Sequence, residues 1–177
     1  NTLLMSGIFP VTVDFMDQNS IKVVDEFLSC GLNTNKTCLL LFELEGYNKS
    51  SIENQSANTV DILNSSGAVD INAVCDKAEM DKIWTARRSS YAAATKLAPD
   101  VISDDIIVPR SNLAEMIEYC KNVSEEHNIN TCIVGHVGDG NIHPQFVLNL
   151  NDDLQFKNYL DAKSKIYKKA ISLGGNI

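Results

Sequence analysis

Apolar residues recur with two different periods along the chain, and each period predicts a type of element. Residues 11–15 alternate between apolar and polar, which predicts a strand. Residues 20–28 have apolar positions at helical spacing, and Gly31 follows as a helix stop. Residues 37–43 form the most apolar stretch, which is typical of a strand buried at the centre of a sheet. The chain therefore begins strand, helix, strand.

The same patterns continue and predict an α+β fold. Further helices are expected at 50–65, 80–94, 111–128 and 152–173, and further strands at 69–74, 105–108, 131–134 and 142–148. The strand and helix order of the first part is close to a ferredoxin-like arrangement, and the second part resembles the first. We therefore expect a mostly antiparallel sheet with helices packed on one face, built from two related halves.

Composition and charge narrow the class of protein. The chain has 177 residues, of which 44% are hydrophobic and 21% charged, so one compact globular domain covering residues 1–177 is expected. Lys and Arg number 15 against 23 Asp and Glu, and the absence of a basic run makes nucleic acid a poor partner. No stretch is long and apolar enough for an integral membrane segment.

Cysteine spacing argues against a disulfide framework or a zinc knuckle, and the glycine pattern argues against a nucleotide-binding site. The five cysteines are widely spaced and contain no Cys-x-x-Cys pair, and no export signal precedes them, so a cytoplasmic protein is expected. Neither a Gly-x-Gly-x-x-Gly turn nor a P-loop is present, so this chain is not expected to bind a nucleotide by itself.

The most informative stretch is Gly-His-Val-Gly-Asp-Gly-Asn-Ile-His at residues 135–143. It contains two of the three histidines in a glycine-rich loop between two predicted strands. Because neutral imidazole is a common metal ligand, His136 and His143 are candidate ligands of one ion, and Asp139 could orient a ring or cap the loop. The alternative is a tight turn with two unrelated surface histidines.

Arg87 lies on the apolar face of the predicted helix 80–94. An unpaired cation there would be costly to bury, and a guanidinium pairs best with a planar carboxylate. That carboxylate belongs either to a bound ligand or to an internal acid such as Asp139 or Glu43.

Several motifs occur in a fixed order along nearly the whole chain. They are Val-Asp-Phe-Met-Asp at 13–17, Leu-Leu-Phe-Glu-Leu-Glu-Gly at 40–46, Ile-Trp-Thr-Ala-Arg-Arg at 83–88, Asp-Ile-Ile-Val-Pro-Arg at 105–110 and the histidine motif at 135–143. Together they resemble the C-terminal (substrate or cap) domain of FAD-linked oxidases of the vanillyl-alcohol-oxidase type. Within that family they are most similar to the glycolate oxidase and D-lactate dehydrogenase branch.

The resemblance implies a role for four residues. His136 and His143 match the family's metal-binding histidines, and Arg87 matches the arginine that pairs with the substrate carboxylate. Gln145 falls where relatives place an amide near the substrate. The implied cofactors are FAD and a divalent metal such as zinc, manganese or iron.

Two departures from the family concern the substrate. Tyr91 and Ser103 stand where hydroxyglutarate-type members have a different hydroxyl residue and a lysine. The resemblance therefore implies a small 2-hydroxy acid such as lactate or glycolate. Electrons would pass from reduced flavin to an electron-transferring flavoprotein, a quinone or a cytochrome.

Two family segments are absent from the sequence, so we expect a fragment that is inactive alone. Relatives place an FAD-binding domain before this region, and after it a Ser-Gly-Glu-His-Gly segment that supplies a third metal ligand and the catalytic base. The remaining alternative is a non-catalytic ferredoxin-like module that binds a metal or a small acid. A stand-alone metallohydrolase is disfavoured, because the sequence offers neither a general base nor a closed metal shell.

Overall fold

The computed structural model describes residues 2–177, which form one antiparallel sheet and seven α-helices. The strands are β1 (Thr12–Asp17), β2 (Cys38–Glu43), β3 (Asp100–Ser103), β4 (Ile106–Ile107), β5 (Asn130–His136) and β6 (Asn141–Leu148). The helices are α1 (Thr2–Met5), α2 (Gln18–Leu28), α3 (Lys49–Ser65), α4 (Lys77–Arg88), α5 (Ser90–Ala94), α6 (Leu113–Glu126) and α7 (Asp153–Ser172). The sheet order is β2-β1-β5-β6-β3, and β4 also pairs with β6. The α+β class with a mostly antiparallel sheet is confirmed.

Helices cover both faces of the sheet, which corrects the expectation of one covered face. Along β5, Ile133 belongs to the cluster formed with α6 and α7, whereas its neighbour Val134 packs with residues of α2, α4 and α5. Successive side chains of a strand point to opposite faces. Both faces of the central strands are therefore apolar, and each requires a helical cover.

The most apolar stretch of the chain forms an edge strand and not a central one. β2 pairs only with β1, and Leu40 remains 43% exposed. The prediction of a buried central strand was wrong because an apolar run indicates burial without identifying which strands flank it. The central positions go instead to β1, β5 and β6.

Other differences lie at element boundaries. Residues 69–74 pair with no strand in the described part of the chain, so the first predicted half lacks its third strand and the two halves differ. The helix predicted at 80–94 is divided at Ser89 into α4 and α5, and Ser111 lies in a short 3-10 turn before α6. None of the helices within residues 2–177 is long and apolar enough to cross a bilayer.

A polar contact fixes the start of α2 against the central sheet. Asp17 ends β1 and caps α2 by accepting a hydrogen bond from the Ser20 amide at 2.8 Å. The same carboxylate oxygen accepts from the Ile133 amide of β5 at 3.0 Å. Burial raises the pKa of Asp17, and the hydrogen bonds from Ser20 and Ile133 oppose that shift. Asp17 thereby fixes the positions of β1, α2 and β5 relative to one another.

A half-buried ion pair between α7 and Asp104 gives a test of this packing. Lys163 contacts the buried Asp104 at 3.0 Å, so Lys163→Met should lower the free energy of unfolding by about 2 kcal/mol, because Asp104 would lose its counter-charge. Lys165→Met on the same helix is the control, since Lys165 pairs with the exposed Glu126 and should cost less than about 1 kcal/mol. Urea unfolding measures both, and equal losses would contradict this account.

Candidate functional site

The β5–β6 hairpin places the two histidines of the sequence motif side by side. The register pairs His136 with Asn141 and Val134 with His143. His136 and His143 are therefore diagonal neighbours whose side chains lie on the same face of the sheet. Their ring centroids are 5.3 Å apart, with the ring planes at 79°. The structure thus brings together the two imidazoles that the sequence singled out.

Two glycines of the motif are required by the hairpin geometry. At Gly135 a Cβ atom would lie 2.4 Å from the carbonyl oxygen of Asn141 on the paired strand. At Gly140 the backbone has a φ of +73°, and a Cβ atom would lie 2.1 Å from the carbonyl oxygen of Val108. Only glycine tolerates both the close approach and the left-handed conformation. The two glycines therefore allow the tight β5–β6 turn that brings His136 close to His143.

A buried carboxylate on β1 joins the histidine hairpin to helix α4. Asp14 is only 5% exposed and lies directly opposite His136 in the β1–β5 register. Its Oδ1 atom is 2.8 Å from Nδ1 of His136, and its Oδ2 atom is 2.8 Å from Nε of Arg87. One carboxylate thus contacts two of the predicted site residues.

The partner of Arg87 is an internal acid, but neither of the two acids named from the sequence. Arg87 is 7% exposed and pairs with Asp14, whereas Asp139 is exposed in the hairpin turn. The Nε proton is not aligned with the nearby oxygen, so the contact is an ion pair and not a hydrogen bond. Burial lowers the pKa of Arg87, and the Asp14 carboxylate opposes that shift.

Each imidazole has a carboxylate near its Nδ1 atom. Asp14 contacts His136, and Asp105 lies 3.5 Å from Nδ1 of His143. An acceptor at Nδ1 favours the tautomer whose Nε2 atom is free to bind a ligand. Burial lowers the pKa of His143, which the Asp105 carboxylate opposes, so its ring favours the neutral, ligand-competent form. Asp14 thus takes the ring-orienting role that the sequence analysis offered to Asp139, whereas the exposed Asp105 carboxylate makes no hydrogen bond to His143.

An open groove of about 430 Å³ lies beside these groups. Its lining residues come from β1, β2, α4 and the end of β5, and they are Thr12, Asp14, Glu43, Trp84, Arg87, Arg88 and His136. Arg87 contacts Asp14 through Nε and also lines the groove. A guanidinium has five N–H donors, so this geometry can present donors to a small anion.

Gln145 lies two residues after His143 on β6, so its side chain is on the same face of the sheet as His143. It pairs in register with Cys132 and Ser103, and it is buried. Its Oε1 atom has no hydrogen-bond partner among the described residues. Gln145 is therefore close to His143 in the sheet. Within residues 2–177 it makes no direct hydrogen bond to another predicted site residue.

Tyr91 lies away from the groove. It is 47% exposed, and its hydroxyl donates to the carbonyl of Val101 on β3 at 3.3 Å. Ser103, in contrast, is paired in register with Gln145. Of the two positions used to predict a small substrate, only Ser103 therefore neighbours a predicted site residue.

The residues present fit part of a metal site. Two imidazoles that bind one ion through Nε2 at tetrahedral angles would have ring centroids about 5 Å apart, close to the observed separation. Residues 2–177 contain no cluster of three His, Cys, Asp or Glu side chains arranged for metal binding. His136 and His143 could therefore supply two ligands of a bound ion, and the described residues offer no third side chain beside them.

The sequence profile described as "FAD linked oxidases, C-terminal domain" matches residues 1–177. The chain belongs to this family. It is 30% identical over 175 residues to the glycolate oxidase subunit GlcD of Bacillus subtilis, covering 99% of this chain and 37% of that protein. It is 25% identical over 182 residues to a D-lactate dehydrogenase of Anaerostipes hadrus, covering 98% of this chain and 38% of that protein.

A solved structure supports the fold of this FAD-linked oxidase domain. The 4-ethylphenol oxidase from Gulosibacter chungangensis, in complex with isoeugenol, superposes with a TM-score of 0.63 at 12% identity. The match covers 94% of this chain and 38% of that one. The chain thus spans less than two fifths of the length of these relatives, and its resemblance to a vanillyl-alcohol-oxidase-type fold is confirmed.

Asp14 is the site residue that sequence reasoning missed. In the family's opening strand it occupies a polar position of an alternating pattern, which usually faces solvent. Helix α4 covers that face and buries the carboxylate against Arg87. The available signal was Arg87 on an apolar helix face, which requires a buried acid as its partner but does not identify which acid.

The hairpin glycines provide a matched pair of variants. Gly140→Ala should destabilise the fold by about 2 kcal/mol or more, because the left-handed backbone and the Val108 carbonyl both exclude a Cβ atom. Gly138→Ala in the same turn should change stability by less than about 0.5 kcal/mol, because nothing lies within 4 Å of its Cβ position. Urea denaturation measures both changes. A tolerated Gly140→Ala would show that the turn does not need this geometry.

Proposed function

We propose that this chain is the substrate- and metal-binding part of an FAD-dependent dehydrogenase or oxidase of small 2-hydroxy acids. The observation that carries the proposal is that Arg87 and His136 both contact Asp14 and that the His143 ring lies beside the His136 ring. Membership of the FAD-linked oxidase family supports the redox class. Relatives named glycolate oxidase subunit and D-lactate dehydrogenase support the substrate class.

Arg87 is the proposed anchor for the substrate carboxylate. Its buried Nε edge forms an ion pair with Asp14, which keeps the guanidinium next to β1. Arg87 also lines the groove, where its terminal N–H donors would bind the substrate carboxylate. A fixed anchor orients C2 and its hydroxyl, and such positioning contributes to the rate of reaction.

His136 and His143 are the proposed partners of the substrate hydroxyl. With Nδ1 of His136 on Asp14, Nε2 would be the ligand atom of that ring, and the neighbouring His143 ring would supply a second nitrogen. A divalent ion of zinc, manganese or iron held there would act as a Lewis acid towards the hydroxyl, and FAD would accept the hydride. Gln145, on the same face of the sheet, is the proposed further polar contact to the substrate.

The proposed enzyme is longer than this chain. FAD would be held mainly by a domain outside residues 1–177, and the remaining metal ligand and the catalytic base would also come from outside them. An electron-transferring flavoprotein or another redox protein would reoxidise the flavin. A cytoplasmic location and the absence of activity in the isolated domain stay predictions.

Replacing a proposed ligand tests this function in the full-length protein. His136→Ala should lower kcat/KM for D-lactate or glycolate by about 100-fold or more, because the hydroxyl loses its activating group. FAD absorbance should be unchanged, since His136 is not proposed to hold the flavin. Steady-state kinetics with and without a chelator measure the effect.

The third histidine provides the control. His127 follows the C-terminus of α6 outside the groove, so His127→Ala should retain near wild-type turnover. Normal activity of the His136 variant would contradict the proposed role. Binding of hydroxy acids without any flavin reduction would favour the alternative, a non-catalytic binding module.

A further inference from the structure

Asp14 differs from the other acids of the site because each of its two oxygens contacts a different functional group. Oδ1 lies 2.8 Å from the His136 ring and Oδ2 lies 2.8 Å from the Arg87 guanidinium. The carboxylate side chain is 6% exposed, so solvent screens these contacts weakly. A change in charge at Arg87 or at His136 therefore alters the interaction of the Asp14 carboxylate with the other one.

We propose that Asp14 is a positioning residue that couples anion binding at Arg87 to metal binding at His136. This inference rests on the proposed function, since it assumes that both ligands bind here. It extends that function by making the two binding events interdependent. The coupling follows from opposite effects of one negative charge on the two ligands.

Towards the metal, the carboxylate is favourable. A carboxylate that accepts from Nδ1 fixes the ring and makes the opposite nitrogen a better donor to a cation. Loss of such a partner typically weakens metal affinity by about 10- to 100-fold. His136 lies at the exposed end of β5 and has Asp14 as its hydrogen-bond partner, so the effect should be large at this ring.

Towards an anion, the same carboxylate is unfavourable. Asp14 offsets the charge of Arg87, so the pair presents hydrogen-bond donors with little net positive charge. A cation bound at the neighbouring imidazoles would restore a positive field at the groove. Anion binding should therefore be weak without metal and stronger with it, and by linkage the anion should tighten metal binding equally.

The experiment measures two affinities in the full-length protein. Mn²⁺ binding is followed by electron paramagnetic resonance, and oxalate, an unreactive planar carboxylate, is titrated calorimetrically with and without Mn²⁺. In the wild type, Mn²⁺ should strengthen oxalate binding by about 10-fold or more. Asp14→Asn should weaken Mn²⁺ binding about 10- to 100-fold, yet strengthen oxalate binding in the absence of metal, because Arg87 is left uncompensated.

Asp105→Asn is the matched control. Asp105 lies 3.5 Å from His143, its side chain is 70% exposed, and within residues 2–177 it forms no other ion pair. Its loss should change Mn²⁺ affinity by less than about 3-fold and leave metal-free oxalate binding unchanged. The contrast separates the coupling role of Asp14 from a general effect of removing an acid near the histidines.

Asp14→Asn leaves a buried cation unpaired and could unfold the protein, so a second comparison is needed. Arg87→Met removes that cation, and adding Asp14→Asn to it should still weaken Mn²⁺ binding by about 10-fold or more. In the single Asp14 variant, oxalate should raise Tm more than in the wild type, since the ligand replaces the lost counter-charge.

The outcomes distinguish this inference from the proposed function. A wild-type protein that binds neither Mn²⁺ nor oxalate would overturn both. If the wild type binds both ligands but Asp14→Asn weakens them together, or changes neither, the coupling is wrong and the proposed function stands. Opposite changes in the two affinities are the result that only the coupling predicts.

Discussion

The site depends on the double contact of one buried carboxylate, Asp14, with Arg87 and His136. Arg87 on helix α4 and His136 at the end of β5 are joined through Asp14 on β1. Asp14 lies 122 residues from His136 in the sequence. Each contact needs the other elements in place: β1 must pair with β5, and α4 must cover that face of the sheet. The site is therefore a product of the whole fold and not of the histidine motif alone.

The arrangement explains why helices are needed on both faces of the sheet. On one face, α6 and α7 bury the apolar side chains of the central strands and stabilise the sheet as a platform. On the other, α2, α4 and α5 leave part of the surface open, where the groove lies between α4 and the end of β5. Stability and chemistry are thus divided between the two faces, and alternation along each strand serves both.

Local features of the site were predictable from sequence, and long-range ones were not. The approach of His136 and His143 follows from a glycine-framed hairpin, whose register is set over a few residues. The partner of Arg87 was expected to be an acid, but Asp14 could not be chosen from among the acids, because pairing of β1 with β5 is not encoded in a short motif. The family resemblance predicted the fold and singled out Arg87, His136 and His143, whereas the place of Asp14 between them follows only from the three-dimensional structure.

The central claim is that Arg87, His136 and His143 bind one small anion, with a cation held by the two imidazoles. The most direct measurement is anomalous diffraction at the manganese edge from crystals of the full-length protein grown with Mn²⁺ and oxalate. The account predicts an anomalous peak within about 2.3 Å of imidazole nitrogens of His136 and His143, with an oxalate carboxylate on the Arg87 guanidinium. A peak away from both rings, or an oxalate bound without Arg87, would contradict it.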